Sequence, residues 1–582
     1  MMYNKKMIFA AIAGILLLGY NAAQACTNFL VTKGASKDGS TFVTYAADSH
    51  TLYGELYYRP AATYPAGTMV DIYDWDSGKK LGSIPQVTKT YSVVGNMNEH
   101  QLTIAETTYG GRSELVDKEG VMDYGSLIYT TLQRAKTARE AIKIMHELTS
   151  QYGYYSSGES FSIADADEVW IMELIGKGKK IVDKKGNIDP KRNTKGMVWV
   201  AMRVPDGYVC GHANQARITT FPKENGKTCI SSKNIAKIFN PNVEVVYASD
   251  VISYARAIGI YNGSDEEFSF SDVYSPLDFG AARYCEARVW AGFMKVNPQL
   301  MAQYEDYARG DNLNHKMPLW IKPTEQLALA DVIKLMRDHY EGTSMDMTKD
   351  KGAGPFACPY RWRPMTWSYN GKKYIHERAT STQQTGFSFV AQMRGKYPAP
   401  IGGILWFGVD DTYSTCYVPM FCGITKIPRC FQQGNGNMMT YSRTSAFWLF
   451  NRVSNFAYSR YCDMIVDIQK VQNELETDFE KQVNEKTEGF AKSYNADAAK
   501  GIERINAFSE KAASRMFNAW EDLSNYLLVK YIDGNIKKTN EDGSFKSNGH
   551  NPTYSDSPNN PEYPQWFYGV IVDDAGENLQ AK

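Results

Sequence analysis

The chain has 582 residues, enough for two to four average domains or for one large α/β body with appended helices. Its 64 Lys and Arg residues equal its 64 Asp and Glu residues, so net charge gives no reason to expect nucleic acid or an anionic membrane as a partner. Aromatic residues reach 13%, with Tyr foremost, a composition that suits an exposed surface or a peptide-binding cleft.

The chain opens with Lys5-Lys6, an apolar run over 8–18 and Ala23-Gln24-Ala25 before Cys26, the three parts of a secretory signal. This predicts cleavage ahead of Cys26 and an exported protein, periplasmic or extracellular. The apolar run is short for a bilayer, and no other stretch approaches the roughly 20 apolar residues of a membrane span. Cleavage leaves Cys26 with both a thiol and a free α-amino group. A lipoprotein is the competing reading, although a lipobox places Leu where this chain has Ala23. The other eight cysteines (Cys210, Cys229, Cys285, Cys358, Cys416, Cys422, Cys430 and Cys462) are an even number, and an oxidising compartment favours their pairing. No CxxC or HExxH is present, so neither a zinc site nor any other metal or cofactor is expected.

From Cys26 the residues predict a strand over 27–32, a turn carrying Gly34, Asp38 and Gly39, and a second strand over 41–45. A nucleophile fixed at a strand end is held within reach of a scissile carbonyl, whereas a plain structural cysteine heading an edge strand is the alternative. Strands follow at 91–95 and 101–107. Asp123 reads as the N-cap of a helix to about 135, and Thr137 as the start of another over 138–148, in which His146 is an ordinary, partly exposed histidine.

Two hairpins come next, 161–164 with 169–174 across Asp165-Ala166-Asp167, and 199–204 with 208–210 across Pro205-Asp206-Gly207. Strands, then two helices, then strands indicate a layered α+β body. The polar stretch after Cys210 offers Asn214 as an amide donor to an oxyanion and Arg217 as a guanidinium for a carboxylate, with a solvated loop as the alternative. A helix is expected from near 324 to 337, a strand over 387–392, and a strand-end turn at Asp410-Asp411 in preference to a metal pair. From 444 to about 532 the character turns helical, with helices over 463–488 and 496–529 that either close over the body or form a homo-oligomer arm. In the proline-rich tail, 566–572 reads as a docking strand.

Several of these stretches together carry a resemblance: Cys26-Thr27-Asn28-Phe29-Leu30-Val31-Thr32-Lys33-Gly34, Gly95-Asn96-Met97-Asn98-Glu99, Glu106-Thr107-Thr108-Tyr109-Gly110-Gly111-Arg112, and Ala213-Asn214-Gln215-Ala216-Arg217-Ile218. It continues through Arg337-Asp338-His339-Tyr340-Glu341-Gly342, Arg361-Trp362-Arg363-Pro364, Arg378, the stretch Ile401-Gly402-Gly403-Ile404-Leu405-Trp406-Phe407-Gly408 and Tyr417-Val418-Pro419. In these motifs the chain resembles the dipeptidase A family, cysteine N-terminal-nucleophile hydrolases related to choloylglycine hydrolase and penicillin V acylase.

The resemblance implies an αββα sandwich over 26–443, after a signal peptide at 1–25 and before a helical extension at 444–582. It implies hydrolysis of dipeptides by Cys26, with its own α-amino group as general base. A thiol of pKa about 8.5 and an amine of about 7.7 to 8.0 can exchange a proton at neutral pH, and the product is an acyl-enzyme. Asp48 then matches the acid beside the nucleophile, and Asn214 an amide of the oxyanion hole or the amine. The family's arginine three residues before that acid is here Tyr45, which either donates a hydrogen bond in its place or leaves the space to Arg217 or Arg378. Glu106 and Arg112, with Arg378, are candidates for the ammonium and carboxylate ends of the substrate. An N-acyl amide hydrolase and a non-catalytic secreted or lipidated binding protein stand as alternatives.

Overall fold

The computed structural model describes residues 26–189, 191–362 and 365–582, apart from the side chain of Glu577. The expected signal at 1–25, and Arg363-Pro364 of the quoted motif, lie outside the described residues.

Two large sheets organise the chain. The first runs in the order Trp320–Ile321, β7, β1, β2, β8, β9, β10, where β1 is Asn28–Val31, β2 Thr41–Asp48, β7 Val209–His212, β8 Thr385–Met393, β9 Ile404–Val409 and β10 Val418–Phe421. The second runs Cys229–Ser231, Val245–Tyr247, β6, β5, β4, β3, then Met97–Asn98, Val93–Val94 and Tyr58–Arg59, with β3 at Thr103–Gly110, β4 at Gly158–Ala164, β5 at Val169–Gly176 and β6 at Met197–Arg203. Neighbours are antiparallel, save the parallel pair Cys229–Ser231 and Val245–Tyr247.

Strands β2, β4, β5, β8 and β9 are buried at every residue. A strand with no exposed face must be covered on both, which explains why β5 and β9 read as nearly continuous apolar runs, while β4 buries Glu159, Ser160 and Ser162 as well. On one side β2 packs across β3 and β4 of the other sheet. Helices supply the outer cover. The second sheet receives α1 (Tyr124–Leu132) and α2 (Ala138–Tyr152); the first receives α3 (Ala287–Val296), α4 (Leu329–Met336) and α5 (Ala446–Ala457). The expected caps are in place, since Asp123 accepts from the amides of Gly125 and Ser126, and Thr137 from that of Glu140. The long helices α6 (Tyr461–Ala496) and α7 (Ala498–Tyr531) lie against β10 and close over the first sheet. Arg337 forks onto Glu476 of α6 at 2.6 and 2.9 Å, and Ser509 of α7 donates to Pro419 O at 3.0 Å. Among the described residues no helix is long and apolar enough to cross a membrane.

Four expectations need correcting. The turn Pro205-Asp206-Gly207 does not close a hairpin: it carries the chain from β6 in one sheet to β7 in the other, where β7 pairs with β1. The cause lies beside β1. Thr32 Oγ1 accepts from the amides of Gly207 and Tyr208 at 2.9 and 3.1 Å, and Asp206 Oδ1 accepts from Gly34 N at 2.7 Å, so the turn is bonded to the loop after β1. Helix α4 starts at Leu329 rather than near 324, because the preceding segment is extended and bonded elsewhere, Leu327 N donating to Ala35 O at 2.8 Å. Residues 566–572 belong to a helix, α8 (Gln565–Leu579), not a strand; the Phe567 amide turns back to Pro564 O at 2.8 Å. All nine cysteines are free. Several of the expected partners instead donate to backbone carbonyls, as Cys229 does to Pro222 O at 3.0 Å, while Cys462 is exposed on α6.

The turn expected at Asp410-Asp411 ends β9, with Asp410 at φ 67° and its Oδ2 accepting from Ser454 of α5 at 2.6 Å. Burial, with Asp411 beside it, raises the Asp410 carboxyl from 3.8 to about 8. A carboxyl whose pKa rises on folding stabilises the fold fully below its unfolded value, and that contribution is lost as pH climbs through about 8. Asp410→Asn, which tolerates the left-handed backbone, should therefore lose less stability than the wild type between about pH 4 and about pH 8. The urea midpoint against pH checks this; equal slopes would mean that Asp410 ionises alike in both states.

Candidate active site

Cys26 stands immediately ahead of β1, and a bridge between Thr27 and Ala46 sets it beside the end of β2. Its side chain is 1% exposed. Sγ lies 3.6 Å from Tyr45 Oη and 3.6 Å from Glu106 Oε1, close enough to donate to either, and Tyr45 Oη donates to the same Glu106 oxygen at 2.7 Å. The first sheet supplies Tyr45 and the second Glu106, so the thiol sits at the seam between them. A narrow pocket beside it is lined by Cys26, Tyr45, Asp48, Trp75, Tyr124 and Phe387 among others. Burial pushes the thiol well above its usual pKa, and the carboxylates of Glu106 and Asp48 add to this, while the hydrogen bond from the Asp48 amide and the one shared with Tyr45 act against it. The thiol as it stands is protonated, and its activation needs a base and nearby positive charge.

Two arginines lie behind this group, one bonded to Asp48 and one to the Cys26 carbonyl. Arg378, from the segment leading into β8, donates to Asp48 Oδ2 at 2.6 Å, and Thr385 donates to Oδ1 at 2.6 Å. Burial raises the Asp48 carboxyl, with Arg378 and Thr385 pulling it down. Arg288 comes from α3 and is 1% exposed. Its Nη1 donates to Cys26 O and Thr27 Oγ1, both at 2.7 Å, and its Nη2 to Asn214 Oδ1 at 2.8 Å and Ala213 O at 3.3 Å. Burial lowers the guanidinium to about 10, which leaves it charged at neutral pH. Helix α3 reaches this close because of Gly292, where a Cβ would fall 2.1 Å from the Phe29 ring of β1. Asn214 takes a left-handed φ of 58°, and its Nδ2 donates to Thr108 O at 2.6 Å.

Glu106 is fully buried on β3, and Glu159 on β4 is fully buried beside it. In register Glu106 faces Phe161 and Glu159 faces Thr108, which makes the two carboxyls diagonal neighbours on one face. They hydrogen-bond each other; burial, then the Glu106 charge, raises Glu159 well above the usual range, so Glu159 holds the shared proton. Asn28 ties the strands of the two sheets together. In the amide orientation that satisfies both its ends, it donates to the Glu106 and Thr27 carbonyls at 3.2 and 2.9 Å, and accepts from Glu106 N at 3.2 Å and Ser162 Oγ at 3.1 Å. Nearby His212 is bonded to Thr107 and Ser162, both at 2.8 Å, and burial drops its pKa to about 3, so it is neutral.

Of the residues expected from the sequence, Cys26, Tyr45, Asp48, Glu106, Asn214 and Arg378 meet around this pocket or directly behind it. Arg217 does not. It is buried against the Glu286 carboxylate at 3.1 Å and donates to the carbonyls of Gly211, Leu319 and Pro318, bracing those segments away from this pocket. Arg112 is also elsewhere, donating to Val273 O at 2.7 Å. Arg378 and Arg288 are the guanidinium groups bonded to Asp48 and to the Cys26 carbonyl; the sequence reading had not singled out Arg288, nor Glu159 beside Glu106. Among the described residues no group of three His, Cys, Asp or Glu side chains is placed to hold a metal ion.

A model of peptidase family C69 matches residues 25–474. The chain is 23% identical to a "Probable dipeptidase" of Salmonella dublin over 451 residues, 72% of this chain and 85% of that protein. It is 21% identical to a "Probable dipeptidase" of Latilactobacillus sakei over 453 residues, 75% of this chain and 82% of that protein. A "Probable dipeptidase B" of Lactococcus lactis subsp. lactis is 21% identical over 526 residues, 87% of this chain and 95% of that protein.

Proposed function

This chain belongs to peptidase family C69 and is a peptide hydrolase, and from that premise we propose that it is an exported cysteine dipeptidase working through an N-terminal nucleophile on an αββα sandwich. Removal of residues 1–25 frees the α-amino group of Cys26, which takes the Sγ proton. The thiolate attacks the carbonyl carbon between the two residues of the substrate, and the C–N bond breaks as the ammonium returns its proton to the leaving amine. The first residue stays on sulfur as a thioester. The same amino group then draws a proton from water, whose oxygen attacks the thioester; the C–S bond breaks, the acid product leaves, and the thiolate takes the proton back from the ammonium.

One observation carries this reading: the buried thiol has guanidinium groups behind it, and the side-chain base that touches it, Glu106, is a carboxylate whose charge opposes its ionisation. Arg288 and Arg378 cannot act as bases, and neutral His212 is turned onto Thr107 and Ser162. Glu106 touches the thiol, but its own charge raises the thiol pKa. An ammonium on Cys26 itself would offset burial and both carboxylates. Asn214 and Arg288, fixed to each other at 2.8 Å, brace the backbone on which that group sits.

The test combines intact-mass analysis of the mature protein with two substrate panels. The expected mature chain begins at an unmodified Cys26 and hydrolyses dipeptides. An acylated Cys26 with full activity, or turnover confined to N-acyl amino acids, would overturn the reading.

A further inference from the structure

We propose that the Glu106 carboxylate, backed by Glu159, receives the α-ammonium group of the residue whose carbonyl Cys26 attacks, so that the pocket selects peptides with a free first amino group. This rests on Cys26 being the nucleophile and names the substrate class that follows from it.

Distances set the requirement. In any amino acid the nitrogen and the carbonyl carbon are about 2.5 Å apart, through N–Cα and Cα–C bonds. A carbonyl poised for attack lies about 3 to 3.5 Å from the nucleophile, so the ammonium nitrogen falls within about 6 Å of Sγ. Glu106 Oε1, 3.6 Å from Sγ, is within hydrogen-bonding range of that zone.

Glu106 also has no described side-chain cation of its own. It is fully buried, and among the described residues neither it nor Glu159 forms an ion pair with Lys, Arg or His. Their Oε2 atoms receive no N–H or hydroxyl from any other described residue. A buried carboxylate without a cation is costly, and Arg378, the guanidinium that the site spends on a carboxylate, is bonded to Asp48.

Exchange of donors links this need to the reaction. In the resting site Tyr45 and the thiol are both placed to donate to Glu106 Oε1. When the thiol gives up its proton, that oxygen loses a donor and gains a negative neighbour. An ammonium N–H replaces the S–H, and its charge offsets the repulsion between thiolate and carboxylate. The proton on Glu159 keeps the pair at a single negative charge, matched to a single ammonium.

The experiment compares three substrates with the same second residue: a dipeptide, its desamino analogue, which lacks the amine without added bulk, and its N-acetyl derivative. The wild type is expected to prefer the dipeptide to the desamino analogue by about 100-fold or more in kcat/KM, the scale for leaving a buried charged group unpaired. Glu106→Gln should collapse that preference to within a few-fold, while Cys26 still reacts with iodoacetamide. Glu159→Gln keeps an N–H donor for Glu106 and should reduce the preference by less than Glu106→Gln does. If the wild type cleaves the desamino analogue as well as the dipeptide, the inference falls and the dipeptidase reading stands. If the wild type cleaves none of the three, the dipeptidase reading falls. Should Glu106→Gln fail to fold, the wild-type comparison and Glu159→Gln still decide; full preference in a folded Glu106→Gln would overturn the assignment.

Discussion

Serine in place of Cys26 should end turnover, with kcat/KM falling by about 10⁴-fold or more, the scale seen when a nucleophile is removed from a hydrolase. A hydroxyl is far harder to ionise than a thiol, and here it would lie fully buried beside the charges of Glu106 and Asp48, which already raise the thiol. The change removes no packing, so the unfolding midpoint should stay close to that of the wild type. Retention of one residue before Cys26 should be equally damaging for a different reason: the thiol remains, but the amine that would accept its proton is held in a peptide bond. Measuring both proteins beside the correctly cut one separates loss of the nucleophile from loss of the base. Full activity in the protein with a residue retained would sink the N-terminal mechanism.

The second large effect belongs to Arg288. Arg288→Met should lower kcat/KM by about 100-fold, on the scale of losing one fixed electrostatic stabiliser. Removal leaves Cys26 O, Thr27 Oγ1 and Asn214 Oδ1 without their donor and takes a positive charge from beside the nucleophile. A merely structural role would lower stability and activity without moving the titration of the thiol. Arg288 as a positioning residue predicts more: the pH at which Cys26 becomes alkylated should rise in Arg288→Met and return partway in Arg288→Lys, which keeps the charge but not the planar fork. An unmoved alkylation profile in Arg288→Met would reduce the residue to a backbone brace.

Much of the architecture was legible because local signals agreed with the final packing. Asp123 and Thr137 cap the helices they were expected to cap, and the strands around Asp165-Ala166-Asp167 pair as a hairpin from Ala164 to Val169. The α+β class and the family were accessible from order and motif. The second supposed hairpin failed because a turn signal reports only that the chain reverses locally. Which sheet receives the next strand was decided by Thr32 and Gly34, far away in sequence.

The same divide runs through the site. Cys26, Tyr45, Asp48 and Glu106 lie in motifs near the front of the chain, and their grouping follows from β1, β2 and β3. Arg217 looked as suitable as Arg378, since both are arginines near the ends of strands; only the three-dimensional partners separate a guanidinium bonded to Glu286 from one bonded to Asp48. Arg288 had one faint signal. It is a charged residue followed by Val289-Trp290-Ala291-Gly292-Phe293, on a helix otherwise buried along most of its length. Such a residue must find several acceptors inside the protein, but the sequence does not say where they are.

The exposed thiol of Cys462 bears on how active centres are counted in this enzyme. A small alkylating reagent meets an accessible thiol before one that is 1% exposed, even though burial, with Asp463 beside it, raises the pKa of Cys462 as well. Stoichiometric labelling of the wild type would therefore report on α6 as well as on the nucleophile. In a Cys462→Ser background the slow, substrate-protectable fraction counts the molecules whose Cys26 lies in a substrate-binding site, the number against which turnover is set.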